Sequence, residues 1–151
     1  MKGLRVFVPM AVCLVLLCMT TFSEAEPKII HVIATDPDPQ QTFIGPQTTL
    51  GDSNLGNFKI THDNGTPAGT VAAHCTIVSV PPRDLLEQCL LTANFPDGQI
   101  LFGGFVPLPD PGVSAEFGIL GGTGQFHKAQ GVVFGHVDPS GAPIEFTFTL
   151  D

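Results

Sequence analysis

The segment Gly121–Gly124 (GGTG) is the part of the chain whose composition most resembles a phosphate-binding loop. A Walker loop requires G-x-x-x-x-G-K-[ST], and a dinucleotide-binding loop requires G-x-G-x-x-G between a strand and a helix. Here a β-branched run follows, with no helical pattern and therefore no helix N-terminus to hold an anion. Glycine also permits the bulges and sharp bends of a coiled sheet. We therefore predict that these glycines shape a sheet.

Histidines can act as metal ligands and as catalytic bases. No pair of the 5 histidines has H-x-H or H-x-x-x-H spacing, which are the spacings that bring two ligands to one metal ion. His62, His74 and His136 fall within or at the ends of predicted strands. A Ser-His-Asp triad has no nucleophile elbow to present its serine. We predict no metal site.

Residues 1–25 have the features of a secretory signal peptide. Two basic residues open the chain, Val6–Met19 is apolar, and Ser23 and Ala25 are the small residues that precede a cleavage site. The apolar run is shorter than a membrane-spanning helix requires, and Pro9 interrupts it. We therefore expect a secreted protein, extracellular or periplasmic, with one domain over residues 26–151.

The mature chain is acidic. Cleavage would remove two of the 6 basic and one of the 14 acidic residues, which leaves a formal net charge of −9. This charge argues against nucleic acids as partners and, after signal cleavage, against membranes. The simpler explanation of this negative charge is that it keeps the protein soluble. The remaining length is enough for one hydrophobic core.

Two cysteines, Cys75 and Cys89, lie outside the signal peptide. An even number of cysteines in an oxidising compartment predicts a disulfide. Closing this loop would stabilise the fold by roughly 3 kcal/mol in the chain-entropy model. The alternative is a metal site, but only His74 adjoins the pair, and a metal site requires several clustered ligands.

The mature sequence consists of short β-rich segments separated by turn residues, as expected for a closed antiparallel barrel or a sandwich. Asn64-Gly65 and Asp97-Gly98 are typical of tight hairpins. Asn64 also begins a glycosylation acceptor sequence, although its role in the turn is sufficient to explain it. The predicted strands are Ile29–Thr35, Gly56–His62, Thr70–Val80, Glu87–Phe95, Gln99–Val106, Ser114–Leu120, Gly131–Val137 and Ile144–Leu150.

The strand Ile144–Leu150 predicts which face is buried. Ile144, Phe146, Phe148 and Leu150 share one face, whereas Glu145, Thr147 and Thr149 share the other. In Gln99–Val106 both faces are apolar, which is consistent with a subunit contact outside a barrel or with an ordinary two-sheet core. The phenylalanines of the mature chain would either line a cavity or fill it.

The pattern G-G-T-G-x-F-x-x-A-x-G, from Gly121 to Gly131, resembles the signature of dirigent proteins and their relatives in the allene oxide cyclase barrel superfamily. Gly51–Ser53, Gly56-Asn57 and Phe95–Ile100 resemble further parts of that pattern in the same order. The resemblance covers most of residues 28–151. It implies an all-β, eight-stranded antiparallel barrel with an apolar central cavity, assembled as a homodimer or homotrimer.

The resemblance also implies a function. The barrel would bind a hydrophobic small molecule and guide its cyclisation or stereoselective coupling, because holding a reactive guest in one conformation lowers the barrier without a cofactor. The sequence leaves open whether the chain is an enzyme. The alternatives are a barrel that binds an apolar ligand without chemistry and a secreted structural barrel filled by its own phenylalanines.

The dirigent pattern places an acid before the GGTG strand and an arginine after the phenylalanine, and Glu116 and His127 stand at these positions. His127 would act as a proton donor near neutral pH, with Glu116 tuning it. Alternatively, both are solvated rim residues. The pattern also expects an acid on the first strand, for which His31 and Asp36 are the candidates.

Overall fold

The computed structural model describes residues 26–37, 42–44, 49–81, 84–108, 112, 114–138 and 143–151. Residues 1–25, and with them the predicted signal peptide, lie outside the described residues. The elements are β1 Lys28–Pro37, β2 Thr42–Ile44, β3 Ser53–Thr61, β4 Pro67–Ser79, β5 Leu85–Phe95, β6 Gly98–Leu108, β7 Ser114–Gly122, the 3₁₀ helix Gly124–Phe126, β8 Gly131–Val137 and β9 Ile144–Leu150. No helix in this part of the chain is long and apolar enough to span a membrane.

The sheet closes on itself. Strands β3 to β9 pair in sequence order, β9 pairs with β1, and β1 pairs with β3 at Ile33–Thr61 and Ala34–Ile60. All these pairings are antiparallel, so β1 and β3–β9 form the predicted eight-stranded barrel. The short strand β2 pairs with the other half of the same β3 edge, at Ser53–Leu55. This strand was not predicted.

The inner face of the barrel follows the period of two that the sequence predicts. On β9, Phe146, Phe148 and Leu150 are buried, as expected. On β5, every second residue from Glu87 to Ala93 is buried. Each predicted strand is present, and the largest boundary differences are at β3 and β4, which begin three residues earlier than predicted.

The predicted disulfide is confirmed. Cys75 on β4 lies directly opposite Cys89 on β5, and the two sulfur atoms are bonded. Both cysteines are buried on the inner face, so the bridge joins neighbouring strands inside the barrel.

The GGTG segment shapes the sheet, as predicted, but a 3₁₀ helix begins at its last residue, Gly124, where no helix is expected from the sequence. A Cβ atom on Gly122 would lie 2.3 Å from the carbonyl oxygen of Phe126. Gly124 has φ +59°, and a Cβ atom there would lie 2.2 Å from the carbonyl oxygen of Asp97. The glycines therefore let the helical turn pack against the β5–β6 hairpin and direct Phe126 into the core.

The variant Gly124→Ala tests this role. We expect it to lower the free energy of unfolding by about 2 kcal/mol, because the new methyl group meets backbone and the residue keeps a left-handed conformation. The measurement is urea denaturation followed by far-ultraviolet circular dichroism, since the chain has no Trp and no Tyr.

The control for this variant is Gly118→Ala on β7. No heavy atom lies within 4 Å of the added carbon there, so its stability should stay within about 0.5 kcal/mol of the wild type. Equal stability of the two variants would contradict the close-packing role of Gly124.

Candidate active site

Aromatic rings fill the middle of the barrel and one of its ends. The ring of Phe102 packs edge-on against Phe117, Phe146 and Phe148 at centroid distances of 5.3–5.9 Å. Phe95 continues the cluster to Phe126, at 5.3 Å. We call the end that contains Phe126 the Phe126 end. There the interior is filled by the chain's own side chains.

The opposite end, which we call the Glu87 end, is lined by smaller groups. It contains the first residues of β5 and the last residues of β4 and β6, which pair there. Most of the side chains that face inward here are small or β-branched. They include Ala34, Cys75, Ile77, Cys89, Val106 and Ala115. The interior at this end is therefore lined by smaller side chains than the interior at the Phe126 end.

Glu87 brings a carboxyl group into this apolar end. Its relative exposure is 6%, and it is the one buried acidic or basic residue in the described part of the chain. Ile77 and Val106 lie directly opposite it on the two neighbouring strands. Asn54 on β3 donates a hydrogen bond from Nδ2 to Oε1 of Glu87, at 3.4 Å.

Burial raises the pKa of the Glu87 carboxyl above its ordinary value of 4.5. The cause is desolvation, which penalises the charged form. Neither of the two ion pairs among the described residues includes Glu87, so no cation of the described residues offsets this penalty. A carboxyl group in such surroundings can hold its proton at a pH at which exposed carboxyls have lost theirs.

Glu87 also lies beside the disulfide. Its carboxylate oxygen and the two cysteine sulfurs lie within 4.8 Å of one another. Bridged cysteines have no thiolate to offer a metal ion, so the disulfide form of this cluster is not a metal site. The bridge instead supplies an apolar wall beside the carboxyl group.

Glu116 and His127, the residues that the resemblance singled out, lie apart from each other. Glu116 is exposed on the outer face of β7, between the inward-facing residues Ala115 and Phe117. His127 follows the 3₁₀ helix at the Phe126 end, where it is exposed and its Nδ1 lies 3.2 Å from the carbonyl oxygen of Gly124. The catalytic role of these two residues stays a prediction. Neither residue belongs to the luminal site around Glu87.

The first-strand candidates also lie away from Glu87. His31 is on the outer face of β1, where its imidazole hydrogen-bonds the carboxylate of Asp63 and lies 4.0 Å from that of Glu145. The backbone of Asp36 pairs with Lys59, beyond a bulge in β1, and its side chain lies outside the described residues. Their catalytic role likewise stays a prediction.

The outer face carries an exposed apolar surface. Leu90, Phe105 and Leu120 are 47–60% exposed on adjacent strands. They border hollows that open outward, one of them of about 420 Å³ across β3, β4 and β5. Phe105 belongs to the second apolar face of β6 that the sequence predicts. The homodimer or homotrimer implied by the resemblance stays a prediction.

Sequence reasoning missed Glu87 because it was taken only as the first residue of a strand. The alternation of side chains along the strand indicates that Glu87 is buried, since Glu87 shares a face with Cys89, Leu91 and Ala93. An acid in register with three apolar residues predicts a buried carboxyl group. Such groups are candidates for functional sites when their pKa is shifted.

The chain is similar to known proteins in both sequence and structure. The family model described as "Allene oxide cyclase barrel like domain" matches residues 30–138. A search of curated protein sequences found no match. Among solved structures, "Pyocyanin demethylase" is similar at 19% identity with a TM-score of 0.69, over 82% of this chain and 100% of that one.

Two further similar structures are those of cyclising enzymes. An exo-specific intermolecular Diels-Alderase is similar at 14% identity and a TM-score of 0.65, over 82% of this chain and 98% of that one. A nonspecific heme-binding cyclase that catalyses [4 + 2] cycloaddition during neoabyssomicin biosynthesis is similar at 18% identity and a TM-score of 0.65, over 100% of this chain and 81% of that one. At these identities the likeness is one of fold: the chain shares the barrel of these cyclases.

The variant Glu87→Gln tests the burial of the carboxyl group. Because its pKa is raised in the folded state, the folded protein binds this proton more tightly than the unfolded chain does. The stability of the wild type should therefore fall as pH rises from the ordinary pKa through the folded pKa. The variant Glu87→Gln should lack this fall. Its free energy of unfolding should therefore increase relative to that of the wild type as pH rises, and this difference should then level off.

The measurement is urea denaturation of both proteins between about pH 4 and about pH 8. The matched control is Glu116→Gln, which removes a carboxyl group from the exposed outer face, and its profile should run parallel to that of the wild type. Parallel profiles for the wild type and Glu87→Gln would contradict the burial of Glu87.

Proposed function

The chain belongs to the allene oxide cyclase barrel-like family, and we propose that it is a secreted barrel that binds a hydrophobic small molecule at the Glu87 end and guides its cyclisation. The observation that carries this proposal is the position of Glu87, a buried carboxyl group on an otherwise apolar luminal wall. Burying an acid without a cation costs stability. A functional site is where such a cost is expected.

The division of the barrel supports this choice of site. The phenylalanine cluster occupies the middle and the Phe126 end, where Phe102 and Phe148 have no exposed surface. A guest at the Glu87 end would therefore pack against the rigid surface of the phenylalanine cluster. Such a site restricts a flexible guest to a few conformations, which is the main requirement for guiding a ring closure.

The reactions of two similar proteins support a cyclisation rather than another reaction of an apolar guest. Both the exo-specific Diels-Alderase and the heme-binding cyclase close rings by cycloaddition. Stereoselective coupling of the dirigent type is supported less well, because His127 stands where that pattern has an arginine. We therefore place cyclisation first.

A second candidate function is binding of an apolar ligand without chemistry. It is favoured by the extent of the phenylalanine cluster, which leaves a guest less room than a fully hollow barrel would. The two functions differ in whether the protein changes the rate and stereochemistry of a guest's reaction.

The variant Val106→Phe tests the proposed function. Val106 lies opposite Glu87 on β6 and contacts the core from the inner face, so a phenyl ring there would occupy guest space. With linear trienones, allene oxides and quinone methides as trial substrates, the wild type should change the stereoisomer ratio of the cyclised product. Val106→Phe should slow that reaction at least about tenfold.

The control carries the same substitution on the outer face. Val132→Phe on β8 changes a residue that is 40% exposed, and it should behave as the wild type does. Product ratios are read by chiral chromatography. If every trial substrate gives its spontaneous product mixture while a neutral apolar dye still binds the wild type, binding without chemistry is the function.

Secretion is tested on the natural N-terminus. We expect the full chain, expressed in its own host, to appear outside the cytoplasm with Glu26 as its first residue, because cleavage follows a small residue. Mass spectrometry of the N-terminal peptide measures this. Retention of residues 1–25 on cytoplasmic protein would contradict it.

A further inference from the structure

Cys75, Glu87 and Cys89 form a cluster of three ligand-bearing side chains on the inner face of β4 and β5. One carboxylate oxygen and the two sulfur atoms all lie within 4.8 Å of one another. Thiolate sulfur and carboxylate oxygen are both ligands of zinc. In the oxidised chain the sulfurs are bonded to each other, so the cluster can bind an ion only after the bridge is reduced.

The backbone places the two cysteines at a separation that suits a zinc ion. Cys75 and Cys89 are directly opposite each other, with their Cα atoms 4.0 Å apart, and both side chains are on the inner face. In such a pair the Cβ atoms are about 4.5–5.5 Å apart. Two thiolates on one tetrahedral zinc ion lie roughly 3.8 Å apart, since each Zn–S bond is about 2.3 Å long. Rotation of the two side chains therefore reaches that spacing without a change in the backbone.

Glu87 is placed to provide a third ligand. It precedes Cys89 by two residues on β5, so the two side chains share a face. Asn54 donates a hydrogen bond from Nδ2 to Oε1 of Glu87, and carboxylates that bind metal ions are usually oriented by such a hydrogen bond. His74, which adjoins Cys75 in the sequence, is exposed on the outer face of β4. The side chain that completes the cluster is therefore Glu87 and not the neighbouring histidine.

The charge of the reduced cluster favours a cation. The relative exposures of Cys75, Glu87 and Cys89 are 8%, 6% and 4%, so two thiolates and a carboxylate here would be buried anions. Neither ion pair among the described residues includes Glu87. Buried charges in proteins are paired or coordinate metal ions. A divalent cation would offset two of the three negative charges.

We propose that the reduced chain binds one Zn²⁺ ion through Cys75, Glu87 and Cys89, with water in the fourth position. Two molecules of a thiol reduce the bridge: the S–S bond breaks, the cysteines take up two electrons and two protons, and the thiol becomes its own disulfide. Zinc then displaces both protons and forms two Zn–S bonds and one Zn–O bond. Oxidation of the cysteines forms the bridge again and releases the ion, so the disulfide and the metal site exclude each other.

Metal binding is tested in the full chain carrying Cys13→Ser and Cys18→Ser, which we call the reference chain. Cys75 and Cys89 are then its only cysteines. A water-soluble phosphine reduces the bridge, because a dithiol would itself bind zinc. Titration with Co²⁺ and displacement by Zn²⁺ should show one ion per chain, with thiolate-to-cobalt charge-transfer bands and the strong visible bands of tetrahedral coordination. The oxidised reference chain should show none of these bands.

Variants separate a three-ligand site from binding by the cysteines alone. Glu87→Gln in the reference chain should bind Zn²⁺ at least about tenfold more weakly, because it lacks the carboxylate ligand. The matched control Glu116→Gln removes a carboxyl group from the exposed outer face and should bind as the reference chain does. Replacing both Cys75 and Cys89 by serine should abolish the cobalt spectrum.

Stability gives a second readout that does not depend on the cobalt spectrum. An ion that binds the folded state stabilises it, so the urea midpoint of the reduced reference chain should rise with zinc concentration. The variant that lacks both cysteines should show no such rise. Far-ultraviolet circular dichroism without urea reports whether the reduced chain is folded at each zinc concentration.

Three outcomes would overturn this proposal. They are the absence of zinc binding to the reduced reference chain, equal zinc affinities of the reference chain and Glu87→Gln, and a reduced chain that stays unfolded at every zinc concentration. Binding of one ion that requires both cysteines and Glu87, with a raised urea midpoint, supports it. The proposed function concerns the oxidised barrel and is independent of these results.

Discussion

Closure of the sheet is the constraint on which the rest of this structure depends. The pairing of β1 with β3 turns a row of strands into a barrel, so that one residue in two along each strand loses contact with water. The inner residues then stabilise the fold by burial, and any polar group among them has to find a partner or reach the lumen. Asn54 and Glu87 meet this requirement through the hydrogen bond that joins them.

Glycines determine how the enclosed space is divided. The ring of Phe117 lies against Gly104 on one side and Gly135 on the other, where a Cβ atom would come within 3.1 Å and 3.0 Å of it. Because these two glycines have no side chain, the large ring of Phe117 fits between β6 and β8. The aromatic cluster can therefore fill the middle of the barrel without widening it, and the smaller side chains are left at the Glu87 end.

Much of the fold could be predicted from the sequence, because strands can be recognised from local sequence patterns. The turn residues separate eight β-rich segments, the alternation in β9 identifies the buried face, and Cys75 and Cys89 prove to be opposite each other. Closure follows from the resemblance rather than from any local pattern. Strand β2 was missed because its three residues are too few for the alternation to be recognised.

The candidate site was predictable only in part, since it depends on which face each residue takes. A motif can indicate that Glu116 belongs to a strand, but a shift of one residue decides whether its side chain points in or out. In this barrel Glu116 is outside, and the buried acid is Glu87. Counting registers along every strand, and not only along β9, would have found Glu87 from the sequence alone.

The covalent bridge has a consequence for the site as well as for the fold. It joins β4 to β5 one inward position away from Glu87, so the carboxyl group projects from a pair of strands whose separation is fixed. The bridge lies beside the carboxyl group and Asn54 donates a hydrogen bond to it, so two contacts restrain its position. The carboxyl group is costly to bury, but these contacts fix where it lies on the inner face of β5.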